Sequence, residues 1–116
     1  MEIRPQVGGI ITDILIDEGA VVRKGQVLFI IDQVPYRAAL ETAEANVTSA
    51  EARLQTARLT RESKEALFRE RVVSDFDVQM ARNEQLEAEA ALAQARAAET
   101  NARNDLSYTE VKSPVD

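Results

Sequence analysis

Arg71-Val72-Val73-Ser74-Asp75-Phe76-Asp77-Val78 is the segment where a long helical rhythm stops and restarts. Ser74 with Asp77 three residues on is a capping-box pattern, with Asp in place of the usual Glu or Gln. Val73 and Val78 occupy the two positions of a hydrophobic staple around that cap. Asp75 and Asp77 set negative charge at the positive end of a helix dipole. The pattern predicts that one helix ends near Arg71 and a second starts at Ser74.

Outward from the break, both flanks carry a heptad. Downstream, Ala81, Ala88, Ala95 and Ala102 recur every seven residues. Val78, Gln85, Leu92, Glu99 and Leu106 interleave at the three-and-four spacing of a coiled coil. Upstream, Leu40, Val47 and Leu54 alternate with Ala43, Ala50 and Ala57 in the same rhythm. Continuing that register puts Arg61 and Lys64 on the seam, so the seam must shift or loosen before the break. Two seams of similar length joined by a short break predict an antiparallel α-helical hairpin. Its first helix, from about Tyr36 to Arg71, would be on the order of 54 Å long at the usual rise per residue. Asp32 as a cap, or Pro35 in the first turn, would start it.

The outermost segments read differently. Residues 1–34 hold all four glycines and are rich in Ile and Val, whereas none of the glycines follows Pro35. Residues 9–16 form a β-branched run closed by the turn signal Asp17-Glu18-Gly19. A second run, Val27 to Ile31, follows the turn Arg23-Lys24-Gly25-Gln26 and is apolar on both faces, so it needs cover on two sides. Past Leu106, Ser107-Tyr108-Thr109-Glu110-Val111-Lys112 alternates polar and apolar residues and reads as another strand, ended by Ser113-Pro114. The division expected is 1–34 as half of a β-domain, 35–106 as the hairpin with its tip near 71–74, and 107–116 as the start of the returning half. The fold class is α+β, with the remaining strands expected beyond Asp116.

Composition narrows the function. The 116 residues carry 14 Lys+Arg against 20 Asp+Glu, a net charge of −6, which argues against a phosphate-binding surface and hence against nucleic acid. With no Cys and no His, disulfides, thiol chemistry, Ser-His-Asp triads and Cys/His zinc sites are all excluded. Val27 to Ile31 is the longest apolar run, far below the roughly 20 residues of a membrane span. There is no charged n-region followed by an apolar h-region, so no signal peptide is expected in this chain. Asp17-Glu18 are adjacent turn residues with no third metal ligand, Asp75 with Asp77 is explained by the helix dipole, and Met1 and Met80 are too few for a methionine metal site. Glu65–Arg69 and Glu99–Arg103 read as i,i+4 surface pairs. The sequence thus predicts no enzyme, no catalytic residues, no cofactor and no metal.

Several motifs together resemble a known family. Arg4-Pro5-Gln6-Val7-Gly8-Gly9-Ile10-Ile11, Ile14, Glu18-Gly19, Val22, Lys24-Gly25-Gln26, Leu28 and Ile31-Asp32 resemble the first half of a biotinyl/lipoyl-like domain. Leu106 to Asp116 resembles the start of its second half. Two such halves separated by a helical hairpin resemble the periplasmic adaptors, or membrane fusion proteins, above all those of resistance-nodulation-division (RND) multidrug efflux pumps. The resemblance implies a periplasmic adaptor held at the inner membrane by other parts of its protein. It would bridge an inner-membrane RND transporter and an outer-membrane channel protein, and self-associate into a ring. It also implies a channel-docking tip. The family's pattern there is Arg, Leu four residues later and Ser seven after that. Leu67 and Ser74 match, Ser63 holds the arginine position, and Arg61 and Lys64 lie beside it. Ser63, Lys64, Leu67, Val73 and Ser74, with Phe68 and Val72, are the candidate docking residues.

Two other readings stay open at this level. A lipoyl or biotin carrier needs an exposed lysine on the hairpin joining its two halves, and Lys24 and Lys112 do not lie there. A generic coiled-coil scaffold accounts for residues 36–106 and leaves the glycine-rich strands unexplained.

Overall fold

The computed structural model of the chain describes residues 7–15 and 25–112. In order these form β1 (Ile11–Ile14), β2 (Val27–Ile31), α1 (Val34–Arg69), α2 (Asp75–Ser107) and β3 (Glu110–Lys112). They divide into two compact units, one built from residues up to Thr42 and from Thr100 onward, the other from Ala43–Glu99. Both helices contribute to both units. The turns at Asp17-Glu18-Gly19 and Arg23-Lys24, and the strand end at Ser113-Pro114, lie outside the described residues.

In the first unit β2 is the central strand, antiparallel to β1 on one side and to β3 on the other. Ile30 faces Asp13 across one ladder and Glu110 across the other. Residues near the two ends of the chain therefore share a sheet, with β2 between them. The register slips between Ile11 and Asp13 of β1 and between Val27 and Phe29 of β2, one extra residue each time, as in a β-bulge. Leu28 and Ile31 are only 1% and 2% exposed. Their odd spacing sends them to opposite faces of an alternating strand. The two-sided cover that β2 requires is present at both positions.

Both start signals of α1 are used. The Val34 N–H donates to Asp32 Oδ1 at 3.1 Å, while Pro35 sits in the first turn, where it removes no helical bond. At the far end, α2 runs one residue past the expected boundary, and the strand begins at Glu110 instead of Ser107. Hydroxyl chemistry explains this correction. Ser107 Oγ donates to the Asn104 carbonyl (2.7 Å) and Thr109 Oγ1 to the Leu106 carbonyl (2.6 Å), so residues that read as strand prolong the helix end. Thr109, a fully buried polar residue, also accepts from Gln33 Nε2 at 2.8 Å, and its carbonyl receives the Ile31 N–H. One residue thus joins the ends of both helices to the central strand.

In the second unit the helices pair in reverse order: Glu51 with Arg96, Arg61 with Gln85, Glu65 with Arg82. That is an antiparallel hairpin. Its core is Val47, Leu54, Ala57, Ala88 and Leu92, with Ala50 and Ala95 packed against it. These are heptad positions read from the sequence, where alanine lets two backbones approach closely. Glu65 bonds Arg61 and Arg82 instead of the Arg69 expected from i,i+4 spacing.

Candidate functional site

The tip is built from two capping motifs placed back to back. The Val72 N–H donates to the Leu67 carbonyl and the Arg71 N–H to the Phe68 carbonyl, both at 2.9 Å. This nested pair is a Schellman motif, which satisfies the last carbonyls of α1. Its left-handed residue is Arg71, at φ 60°, where glycine is usual. A side chain in that conformation costs roughly 1–2 kcal/mol. The helix therefore ends at Arg69, two residues before the position expected from its rhythm.

The second helix starts as its sequence requires. Asp77 N–H donates to Ser74 Oγ, and Ser74 N–H donates to Asp77 Oδ2, each at 3.3 Å. The reciprocal pair is the capping box. Val78, at the staple position, is 2% exposed, and Val73 is half-buried. Two orphan donors are satisfied and α2 begins at Asp75 with acidic residues in its first turn.

The candidate docking residues divide by position. The Leu67 carbonyl bond to Val72 brings Leu67 within one turn of Val72, Val73 and Ser74. Ser63 lies one helical turn earlier on the same face as Leu67 and is exposed, whereas Lys64 is half-buried. Arg61, the other cation near the missing arginine, is already bonded to Gln85 and Glu65. Phe68 and Val72 are 43% and 66% exposed.

Phe76 and Met80, not among the candidate docking residues, are 70% and 47% exposed and share one face of α2 by their i,i+4 spacing. Their signal was present: both fall off the heptad positions held by Val78 and Ala81, so neither can be core. A run of large apolar side chains is thus exposed around the tip.

Just behind it lies a polar cluster. Arg61 Nη1 and Arg82 Nε each donate to one oxygen of Glu65 at 3.0 Å, and Gln85 Nε2 donates to Glu89 at 3.0 Å. The hydrogen bond from Arg82, aided by the charges of Arg61 and Arg82, holds the Glu65 carboxyl below its ordinary value.

Elsewhere, Lys112 is exposed on β3 and Lys24 lies outside the described residues. Among the described residues no group of three or more acidic side chains is placed to hold a metal, and no helix is long and apolar enough to cross a membrane.

Comparison with known proteins agrees with this architecture. A family model described as "RND MFP, barrel-sandwich hybrid domain" matches residues 1–116. The chain is 39% identical over 114 residues to the multidrug resistance protein MdtE of Escherichia coli, covering 98% of this chain and 30% of that protein. It is also 39% identical to ArpA of Pseudomonas putida, an antibiotic efflux pump periplasmic linker protein, over 98% of this chain and 27% of that one. Among solved structures, a MacA-MexA chimeric protein containing the Pseudomonas aeruginosa MexA α-hairpin domain superimposes with a TM-score of 0.72 at 32% identity. That match covers 100% of this chain and 37% of the chimera. The chain spans about a third or less of the curated relatives it matches.

Proposed function

Because the chain belongs to the RND membrane fusion protein family, we propose that it supplies the hairpin and part of the lipoyl-like base of a periplasmic adaptor in a tripartite efflux pump. The adaptor links an inner-membrane RND transporter to an outer-membrane channel, and the hairpin tip is the part that meets the channel. Adaptors associate side by side into a ring through their bases. The domain division 1–34, 35–106 and 107–116 belongs to the same reading. No step is catalytic, because the family is one of adaptors and not of enzymes.

One observation carries the docking assignment: exposed apolar side chains gather at a tip whose two helix ends are each closed by a capping motif. Phe68, Val72 and Phe76 face solvent there. A hairpin needing only a turn has no use for them, whereas a partner surface buries them at roughly 1.5–3 kcal/mol per large side chain. Leu67, Val73 and Ser74 form the centre of the contact, with Ser63 and Lys64 on its α1 side. An alternative as generic scaffold lacks support from the family membership, and a carrier role lacks a lysine at the junction of the two halves.

Drug export by the native-length protein tests this reading. Leu67→Asp sets an unpaired charge in a surface that must shed water, so export is lost. Ser74→Asp keeps the capping oxygen but changes shape and charge; export falls while the melting temperature stays near the parent value. Normal export by both variants at normal protein levels would show that the tip is only a well-capped turn.

A further inference from the structure

The seam changes character towards the tip. On α1 the buried residues are Ala43, Val47, Leu54 and Ala57, and none follows. On α2, Val78 and Ala81 are buried, as are Ala88 and Leu92, and between the two pairs the heptad position is Gln85. From Arg58 to Arg69, the α1 side chains that are even half-buried are Thr60, Arg61, Lys64, Glu65 and Leu67. Only one of these is apolar. Long charged side chains can cover apolar surface with their stems while their heads stay wet.

Here the heads are committed to each other. Glu65 receives Arg61 from its own helix on one oxygen and Arg82 from α2 on the other. Arg61 also donates across the seam to Gln85. Two cross-helix links therefore flank the level where an apolar layer is missing. Compare the pair Glu51–Arg96 farther along the same hairpin. Its side chains are 51% and 62% exposed and 3.5 Å apart, an ordinary surface contact. Arg61 and Glu65 are 27% and 23% exposed at 3.0 Å. Lower exposure and two bonds each mark Arg61 and Glu65 as part of the packing, while Arg82, 49% exposed, reaches in from α2 with a single bond to Glu65. A polar group at a single seam position is also a known way to fix the register of paired helices.

We propose that the Arg61–Glu65–Arg82–Gln85 network is the positioning device of the tip, holding the end of α1 against the start of α2 in one register where the apolar seam has run out. Leu67 and Ser74, on opposite sides of the turn, are thereby presented as one surface. That consequence for docking rests on the function proposed above; the holding itself does not, and it is measured on the adaptor alone.

The experiment is a pair of spin-label distance measurements on the native-length protein. One pair, at Arg69 and Gln79, reports the tip; the other, at Gln55 and Gln94, reports the alanine seam. All four positions are exposed. Glu65→Ala removes both arginine bonds without lowering helix propensity. Its tip distribution should widen about twofold while the seam distribution is unchanged, since only the end of the hairpin is released. Arg82→Gln, acting from the other helix, should do the same. Glu62→Ala is the control, because Glu62 contacts Arg61 at 3.6 Å on its own helix and makes no cross-helix link; neither distribution should change. A tip distribution no wider in Glu65→Ala than in Glu62→Ala would overturn the proposal. So would equal widening of both pairs, which would make the network a general stabiliser.

Discussion

Two residues hold conformations their neighbours dictate. Gly9 has φ 151°, and a Cβ there would lie 2.6 Å from the Ile31 Cγ2 methyl. Ile31 is 2% exposed and β-branched, so it cannot yield. Gly9→Ala should therefore destabilise the sheet unit by about 1–3 kcal/mol, read as a lower denaturant midpoint at unchanged slope. Arg71 presents the opposite case. Replacing it with glycine relieves the left-handed strain but adds freedom to the unfolded chain, for a net gain of about 0.5–1 kcal/mol. An unchanged or lowered melting temperature for Arg71→Gly would contradict the strain argument. These positions also show what sequence can disclose. The Ser74 cap was legible because its two partners are three residues apart and chemically diagnostic. The Schellman turn was not, because its signal is a glycine and the chain has an arginine there.

At the scale of elements, the seam was readable from the heptad because alanine and leucine recur at fixed spacing, and Val47, Leu54, Ala57, Ala88 and Leu92 form the core they announced. The same heptad located the fault at Arg61 but not its repair. Glu65 recruits Arg82 from the other helix, a pairing that depends on how far apart the two backbones lie. The strand limits at Ser107 were misread for a related reason: local propensity favours strand, and hydroxyl bonds to helical carbonyls override it. Acid should loosen the tip. Glu65 faces Arg61 on α1 and Arg82 on α2, and its carboxyl is held below its ordinary value. A group so depressed stabilises above its unfolded pKa and loses that contribution as pH falls through the lower folded value. Tip distances should thus be constant from pH 7 to about pH 5 and widen below about pH 4. Widening between pH 7 and pH 5 would mean that another group controls the tip. At the other helix ends, Thr109→Val should cost about 1–3 kcal/mol, because it leaves Gln33 without its acceptor in a part-buried site.

Among the described residues, the sheet and the tip each carry a group of exposed apolar side chains. Ile10, Ile11, Ile14 and Leu15 are 52–76% exposed at the β1 side of the sheet, beside a hollow of about 260 Å³ lined by Val7, Phe29 and Val111 among others. Such a strand edge tends to pair with another chain. The 116-residue chain on its own should self-associate in sedimentation, and Ile14→Lys should return it to monomer. Monomeric behaviour of the parent chain would contradict this. Docking by the tip is a contact made in the cell, and cross-linking there reads it. A photoactivatable cross-linking residue placed at Val73 or at Leu67 in the native-length protein should capture an outer-membrane channel protein. The same residue at Gln55 or Gln94, in the middle of the hairpin, should not. Capture from mid-hairpin with none from the tip, in cells that still export drug, would contradict the account.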